Sequence, residues 1–476
     1  MRATGVWSRE HNKDALMNAD FRGKKILIMG LGLHGGGVGA VRFFAARGAR
    51  LTVTDLRTEK ELEMSRALLR DIPGISYVLG RHRESDFLHA DLIVKNPGVP
   101  PRSPYLLQAR KNHVPITTDL GIFLRQCPAP IIGVTGTRGK STTCFLIARV
   151  LETFFKKNKK NHDRKVFLGG NIRTSVLEFI DEVKPRDIVV LELSSFQLDD
   201  IARDSWTSEP HERKSPSVAV ITNIMRDHLN WHGTMQSYIK AKSVIFAYQG
   251  KNDVLFANGS DDMVKKIAAC APSRVIFPRL PKEMQPIVDK NLGVHYRSSI
   301  ALVIGVCAHL GVPSALMRSV IKNFHGLPGR QELTATINGV RYINDTTATI
   351  PDASIAAIKR FRAAAKNTHI ILIAGGSDKE LLFSEMAEAI GRNVDHLILL
   401  PGTATVLLLA ALEKKKRSMA HVSVQKAESM AQAVAFAHAL ATKGDYVLLS
   451  PGAASFGLFA NEFDRGDTFV AAVKNL

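Results

Sequence analysis

The sequence predicts an α/β protein made of open, mainly parallel sheets in three successive domains. Three observations carry this. An apolar run, a glycine-rich turn and a helix-like stretch follow one another at residues 24–48. The same layout returns at residues 131–151. Beyond residue 340, three apolar runs each end in a glycine turn, with helical stretches between them. At 476 residues the chain is too long for one ordinary domain, and an apolar fraction of 45% supplies real cores.

The first twenty residues carry Arg2, Arg9, Glu10, Lys13 and Asp14 and no apolar signal core, so 1–20 is expected to be a flexible tail. Lys24–Met29 reads as a strand leading into Gly30-Leu31-Gly32-Leu33-His34-Gly35-Gly36-Gly37. A helix follows through Val41, Phe43 and Phe44 to Gly48, and Leu51–Asp55 is a strand ending on an acid. This is a Rossmann-type unit, and Gly30, Gly32 and Gly35 fit G-x-G-x-x-G. Alone, the pattern means either a nucleotide or phosphate site, or glycines needed only for helix–sheet packing. Ala90–Val94 is a further strand, and Asn96-Pro97-Gly98 a rigid turn where ligands of open sheets gather. The Pro-punctuated stretch from Arg125 to Pro130 closes a first domain, 21–126.

The second domain, 127–325, opens on Pro-Ile-Ile-Gly-Val-Thr-Gly-Thr-Arg-Gly-Lys-Ser-Thr-Thr at 130–143. Strand, glycine turn, Lys-Ser and helix are the layout of a phosphate-binding loop. Backbone N–H groups face an anion, Lys140 neutralises the outer phosphates, and the Ser141 hydroxyl can hold magnesium. The strict motif wants a glycine where Val134 stands, so Gly136–Thr142 is a variant loop. Lys165–Leu168, Asp187–Leu193 and Ser217–Thr222 are strands. Glu192 lies in an apolar run, where a carboxylate is costly unless paired with a cation; the alternative is an acid that simply reaches water. His228, next to Asp227, is a metal ligand or a structural histidine. Lys242 lies in the helix-like stretch Gln236–Phe246, where periodicity does not exclude an ordinary surface lysine.

Phe324–Gln331 is a Gly- and Pro-rich hinge before the third domain, 326–476. Val340–Asn344, Thr368–Ala374, His396–Leu400 and Asp445–Leu449 are its strands, and Pro351 starts a helix.

Cys127, Cys144, Cys270 and Cys307 are scattered, which fits a reducing compartment. No apolar run is long enough to span a membrane. Lys plus Arg is 64 against 44 Asp plus Glu, a net +20. The excess is partly local, at 156–165 and 414–417, without interleaved aromatic residues, so a specific nucleic-acid partner is not expected.

Taken together, these motifs resemble the Mur ligases, over nearly the whole chain from about residue 22. Leu191-Glu-Leu-Ser-Ser-Phe-Gln-Leu198 and Ser450-Pro-Gly-Ala-Ala-Ser-Phe456 look most like the members that join D-glutamate to UDP-N-acetylmuramoyl-L-alanine. The resemblance implies a monomeric cytoplasmic ligase of peptidoglycan synthesis, serving cell-wall growth and division. Its substrates would be ATP, UDP-MurNAc-L-Ala and D-glutamate, with two magnesium ions. Gly136, Thr137, Arg138, Gly139, Lys140, Ser141 and Thr142 would cradle ATP, with His295, Arg330 and Asp345 also on the nucleotide. Ser141, Glu192, His228 and Lys242 would hold metal, Lys242 as a carbamate. Gly32, Leu33, His34, Asp55, Arg57, Asn96, Pro97, Gly98, Asn171 and Ser194 would bind the uridine substrate. Thr349, Lys379, Ser455 and Phe456 would bind D-glutamate.

The chain departs from the family pattern at Asn96, Arg138, Tyr296, Ser299, Gly329 and Thr347. The competing readings are another ligase of the superfamily, a nucleotide-binding homologue without catalysis, and, on Gly30–Gly35 alone, a nicotinamide-dependent dehydrogenase.

Overall fold

A computed structural model describes residues 21–32, 36–158, 162–171, 175–206, 215–324, 326–365, 368–379, 381–415 and 419–476. The expected tail, 1–20, lies outside them, as do Leu33, His34 and Gly35. The chain packs as two compact units. One holds the residues up to Met225, Gln236–Ile287 and Tyr296–Lys322; the other holds Arg226–Met235, Val288–His295 and Asn323–Leu476.

The first unit contains two parallel sheets. The N-terminal sheet is built from β1 (Lys25–Met29), β2 (Arg50–Asp55), β3 (Ser76–Leu79), β4 (Leu92–Lys95) and β5 (Ile116–Thr117), in the order β3-β2-β1-β4-β5. The second is built from β6 (Ile131–Thr135), β7 (Val166–Gly170), β8 (Ile188–Glu192), β9 (Val218–Ile221), β10 (Val254–Ala257) and β11 (Arg274–Ile276). Its order is β11-β10-β9-β6-β8-β7. The second unit carries β12 (Glu332–Ile337), β13 (Val340–Asn344), β14 (Ile370–Ala374), β15 (His396–Leu399), β16 (Ser423–Lys426) and β17 (Tyr446–Leu449), in the order β12-β13-β17-β14-β15-β16. Only β12 runs antiparallel to its neighbour there.

Helices cover the sheets, and this explains the unbroken apolar runs. In β14, Ile370, Leu372 and Ala374 enter one core while Ile371 and Ile373 enter the other. A strand buried on both faces needs apolar residues at every position. The helices used below are α1 (Gly36–Ala45), α2 (Pro104–Lys111), α3 (Asp119–Gln126), α4 (Lys140–Lys157), α5 (Ser195–Arg203), α6 (Met235–Ala247), α7 (Arg297–His309), α8 (Pro351–Ala364) and α9 (Glu462–Lys474).

The strand order reverses next to β1 in the first sheet, β6 in the second and β17 in the third. At such switch points a crevice opens beyond the carboxyl ends of the strands. Glycine-bearing turns follow β1, β6 and β17, as they also follow β14 and β15.

The helix that follows β1 sits close to it. A Cβ on Gly37 would come 2.3 Å from the Leu31 carbonyl oxygen, so Gly37 lets α1 pack directly on the turn after β1. Replacing Gly37 by Ala forces α1 away from β1. The expected cost is about 1–3 kcal/mol, seen as an earlier urea transition; an unchanged transition would show that α1 is free to shift.

Candidate active site at the strand ends

The loop after β6 is fixed by its neighbours. Gly136 has φ +144° and Gly139 φ +76°, both suited to glycine. A Cβ on Gly136 would lie 1.9 Å from Thr222 Oγ1, and one on Gly139 2.6 Å from Ser299 Oγ, on α7. The end of β9 holds the loop from one side. Thr137 N donates to the Asn223 carbonyl at 2.9 Å, and Arg138 N to Asn223 Oδ1 at 2.9 Å. Thr222 Oγ1 and Asn223 Nδ2 both donate to the Arg138 carbonyl, at 2.5 and 3.2 Å. These bonds hold the turn just before α4, whose free N-terminal N–H groups and dipole favour an anion. Lys140, the first residue of α4, bends back to donate to the Thr137 carbonyl at 2.9 Å. Thr142 is buried in the same turn.

On the other side of β6 lies β8, and Glu192 is its last residue, only 3% exposed. Its Oε2 accepts from Ser141 Oγ at 2.5 Å and its Oε1 from Asn171 Nδ2 at 3.2 Å. Asn171 follows β7, the next strand out, and its backbone N–H donates to the Glu192 carbonyl at 2.9 Å. Sheet order alone therefore gathers Ser141, Glu192 and Asn171 from three adjacent strand ends. Glu192 is a buried carboxylate held by a hydroxyl and an amide. Burial first, and then the Glu192 carboxylate, raise the nearby Cys144 thiol well above its usual range, so Cys144 packs as an apolar residue.

Lys242 comes to the loop from α6. It is 2% exposed, its Nζ donates to the Gly136 carbonyl at 2.8 Å, and it lies 4.7 Å from the centre of the Tyr238 ring. Tyr238, one turn earlier, has its hydroxyl 3.0 Å from Thr137 Oγ1. Lys242 is thus buried against the loop and not on the surface.

Ser141 Oγ and Glu192 Oε2 are neighbouring hard oxygen donors of the kind magnesium takes, with nucleotide oxygens and water to complete the set. A lysine ammonium repels a cation, so Lys242 fits a metal only as a carbamate. Among the described residues no group of three or more His, Cys, Asp and Glu forms a ready metal cage.

In the N-terminal sheet, Asp55 ends β2 and is buried; its Oδ2 accepts from Gly32 N at 3.2 Å and its Oδ1 from Arg57 N at 2.9 Å. The Arg57 guanidinium is 3.7 Å from the same carboxylate. Asn96 follows β4; its Oδ1 accepts from Gly98 N at 3.0 Å, bridging Pro97. A Cβ on Gly30 would lie 2.9 Å from Asn96 Cβ. The structure thus brings Gly32, Asp55, Arg57, Asn96, Pro97 and Gly98 to one crevice. Ser194 is the N-cap of α5 and shares a capping box with Gln197, so its hydroxyl already serves the helix.

In the second unit, His228 adopts φ +52° and lies beside Asp227, Nε2 to Oδ2 3.5 Å. His295 packs over Gly293, where a Cβ would be 2.9 Å from its ring. Asp345 follows β13 and is buried; it accepts from Ser450 Oγ at 2.7 Å and from Gln331 N at 3.1 Å. The Gly329 carbonyl accepts from Thr347 N at 3.1 Å, so Arg330 is pinned on both sides next to Asp345. Gly329 has φ +68°, a conformation that a residue with a side chain would occupy only with strain. Ser377 and Ala454 form a bridge between the turns after β14 and β17, placing Lys379 and Ser455 on neighbouring turns. Gly452 N donates to the Ala348 carbonyl at 2.8 Å and draws Thr349 to the same end. Ser455 is buried, and the Phe456 ring is 60% exposed.

Sequence reasoning missed Thr222, Asn223, Tyr238 and Arg465. Thr222-Asn223 had a readable signal, a polar pair closing an apolar strand. Arg465, 0% exposed, had none.

Fold and site together define a nucleotide-dependent ligase class: a phosphate loop on a parallel sheet, a buried acid and lysine beside it, and separate Rossmann-like sheets before and after. Family models match in the same order: Mur ligase MurD-like, N-terminal domain at 24–118, Mur ligase middle domain at 134–303, and Mur ligase, glutamate ligase domain at 329–452. A protein of Roseiflexus sp. (strain RS-1) named UDP-N-acetylmuramoylalanine--D-glutamate ligase is 38% identical, covering 95% of this chain and 99% of its own. The protein of that name in Borreliella afzelii (strain PKo) is 36% identical over 97% and 99%. The solved structure of MurF from Acinetobacter baumannii shares the fold, with a TM-score of 0.55 at 15% identity, covering 97% of this chain and 92% of that one. The chain belongs to the Mur ligase family.

Proposed function

We propose that this protein joins D-glutamate to UDP-N-acetylmuramoyl-L-alanine, at the cost of ATP, in peptidoglycan precursor synthesis. One observation carries the reading: Lys140, Ser141, Glu192 and Lys242 meet at the carboxyl ends of β6 and β8, as activation of a carboxylate by ATP requires. The relatives' printed name supplies the amino acid and the acceptor. The domain division at about 126 and 325 belongs to the same proposal.

A carboxylate is a poor acyl donor. The L-alanyl carboxylate attacks the γ-phosphorus of ATP, giving an acyl phosphate and ADP. The neutral amine of D-glutamate then attacks the acyl carbon and loses a proton, and the tetrahedral intermediate expels phosphate. In the first step two anions must approach each other. Lys140 and the N-terminus of α4 hold the triphosphate and offset that repulsion. Asn171 orients Glu192 and thereby the donor oxygens around Ser141. Ser141 and Glu192, with His228 and a carbamylated Lys242, would hold magnesium, which would supply Lewis-acid stabilisation of phosphoryl oxygens. Asp55, Arg57 and the Gly32 and Asn96 turns hold the uridine end. Asp345, Arg330 and His295 hold the nucleoside of ATP, and Thr349, Lys379, Ser455 and Phe456 hold D-glutamate. Cytoplasmic action and a monomeric state complete the reading. Among the described residues no helix is long and apolar enough to cross a membrane.

The test is phosphate release by the purified protein. Release is expected only with ATP, UDP-MurNAc-L-Ala and D-glutamate together. Release that ignores either acceptor or amino acid, or that prefers L-alanine, L-glutamate or meso-diaminopimelate, would overturn the assignment.

A further inference from the structure

The most unusual electrostatics in the first unit lie away from the phosphate loop. Helix α5 presents Asp200 and, one turn on at its C-cap, Asp204, and both are buried. Each meets a buried cation from the N-terminal part of the unit. Lys95 Nζ, from the end of β4, is 2.5 Å from Asp200 Oδ2, with side chains 2% and 6% exposed. Arg125 Nη2, from α3, is 2.8 Å from Asp204 Oδ1, at 6% and 3%. Asp204 also accepts from Thr117 Oγ1, on β5, at 2.6 Å. A Cβ on Gly121 would fall 2.4 Å from Asp204 Oδ2, so α3 and α5 touch closely there.

Lone ion pairs of this kind are costly to bury, and an apolar pair would pack as well. What an ion pair adds is direction. Lys95 also donates to the Asn96 carbonyl at 3.3 Å, and Asn96 is the residue packed on Gly30 and Gly32. At the other end, α5 is rooted through its capping box to Ser194, two residues beyond Glu192. One continuous path therefore runs from the glycine turn of the N-terminal sheet through Asn96, Lys95, Asp200 and α5 to the Glu192–Ser141 pair.

We infer that the pairs Lys95–Asp200 and Arg125–Asp204 form a two-point brace that sets the distance between the uridine end and the acyl end of the site. Lys95 and Asp200 are then positioning residues for a substrate that must reach both ends at once. This rests on the proposed substrate, UDP-MurNAc-L-Ala. A ligand filling only one end, UDP or ATP, does not sense the brace.

Protonation should weaken it. Burial raises the Asp200 carboxyl to about 6, opposed by Lys95. The charged groups facing it are Lys95 on β4, Arg110 on α2 and Asp199 on α5, the last adding to the rise. Arg203, ion-paired with Asp199 at 2.9 Å, faces Arg110 in turn. The charged pair is intact above the raised value and is lost as pH falls through it.

The experiment compares the affinities of UDP and UDP-MurNAc-L-Ala, by calorimetry, in the full chain and in a Lys95→Met/Asp200→Leu variant. That variant removes both charges of the buried pair together, so neither is left unpaired. The expected result is unchanged UDP and ATP affinity and about tenfold weaker UDP-MurNAc-L-Ala binding. An unchanged ratio of the two uridine affinities overturns the brace. So does an equal loss for UDP, ATP and the full substrate. Should the variant not fold, Lys95→Arg keeps the charge and alters the reach; a lower ratio supports the brace and an unchanged one removes it. A wild-type ratio near one would instead remove the proposed substrate, and the brace with it.

Discussion

Replacing Lys140 by Ala is expected to lower substrate-dependent phosphate release by about 10²–10³-fold. The lysine is the first residue of α4, and its Nζ rests on the Thr137 carbonyl of its own loop. The cation is therefore held over the helix N-terminus before any nucleotide arrives. Its loss leaves the backbone N–H groups and the dipole, which are worth far less than a unit charge against a triphosphate and an approaching carboxylate. The fold should barely respond. Lys140 is half-buried and donates to a carbonyl of its own loop, whereas Thr222, Asn223 and Tyr238 hold the turn by other bonds. Phosphate release and a urea melt, run on the same preparation, separate the two effects. Turnover within a few-fold of the parent would remove Lys140 from the chemistry. A collapse of the melt would mean that the lysine is structural. Lys140→Arg is no rescue, because a planar fork does not fit the place of a compact point charge.

The loop, Glu192 and Asp55 were legible because each ends an apolar run, and a run buried on both faces announces its strand. Order along the chain also revealed the glycine turns that close these strands. Other elements gave less. Ser423–Lys426 is exposed at all four positions, and Ile116–Thr117 is two residues long. Val254–Ala257 is wholly buried, but over four residues periodicity does not separate strand from helix. Gly35, which fits the motif spacing, lies outside the described residues; a close approach to Leu31 falls on Gly37. Lys242 became a site residue only through the resemblance, and the structure gives the physical reason: α6 turns it inward onto Gly136. Contacts between residues far apart left no trace. Lys95 and Asp200 are 105 positions apart, and neither sits in a motif.

Arg465 is the other position where a single substitution should have a large effect. It stands in the first turn of α9, is 0% exposed, and reaches across two turns. Its Nε donates to Thr346 Oγ1 at 3.2 Å, its Nη2 to the Thr346 carbonyl at 2.7 Å and its Nη1 to the Ala453 carbonyl at 3.1 Å. Burial lowers its pKa to about 10, countered by Glu462 and Asp345, so it stays charged at neutral pH. One guanidinium thus ties the turn after β13, which carries Asp345 and Thr349, to the turn after β17, which carries Ser455. Gly466 lets α9 come this close, since a Cβ there would be 2.6 Å from Thr346 Cγ2. Arg465→Met leaves two buried carbonyls without these donors, at an expected cost of about 3 kcal/mol, or about 10²-fold in local opening. Amide exchange at 345–349 and 450–456 should accelerate, and exchange in β6 and β8 should not. If the two turns form the D-glutamate pocket, KM for D-glutamate rises while KM for UDP-MurNAc-L-Ala holds. Arg465→Lys should fall between the two, because one ammonium cannot reach both turns with the geometry of a fork. Unchanged exchange in both turns would mean that the strands hold them without Arg465. Faster exchange with an unchanged KM would separate the turns from the pocket.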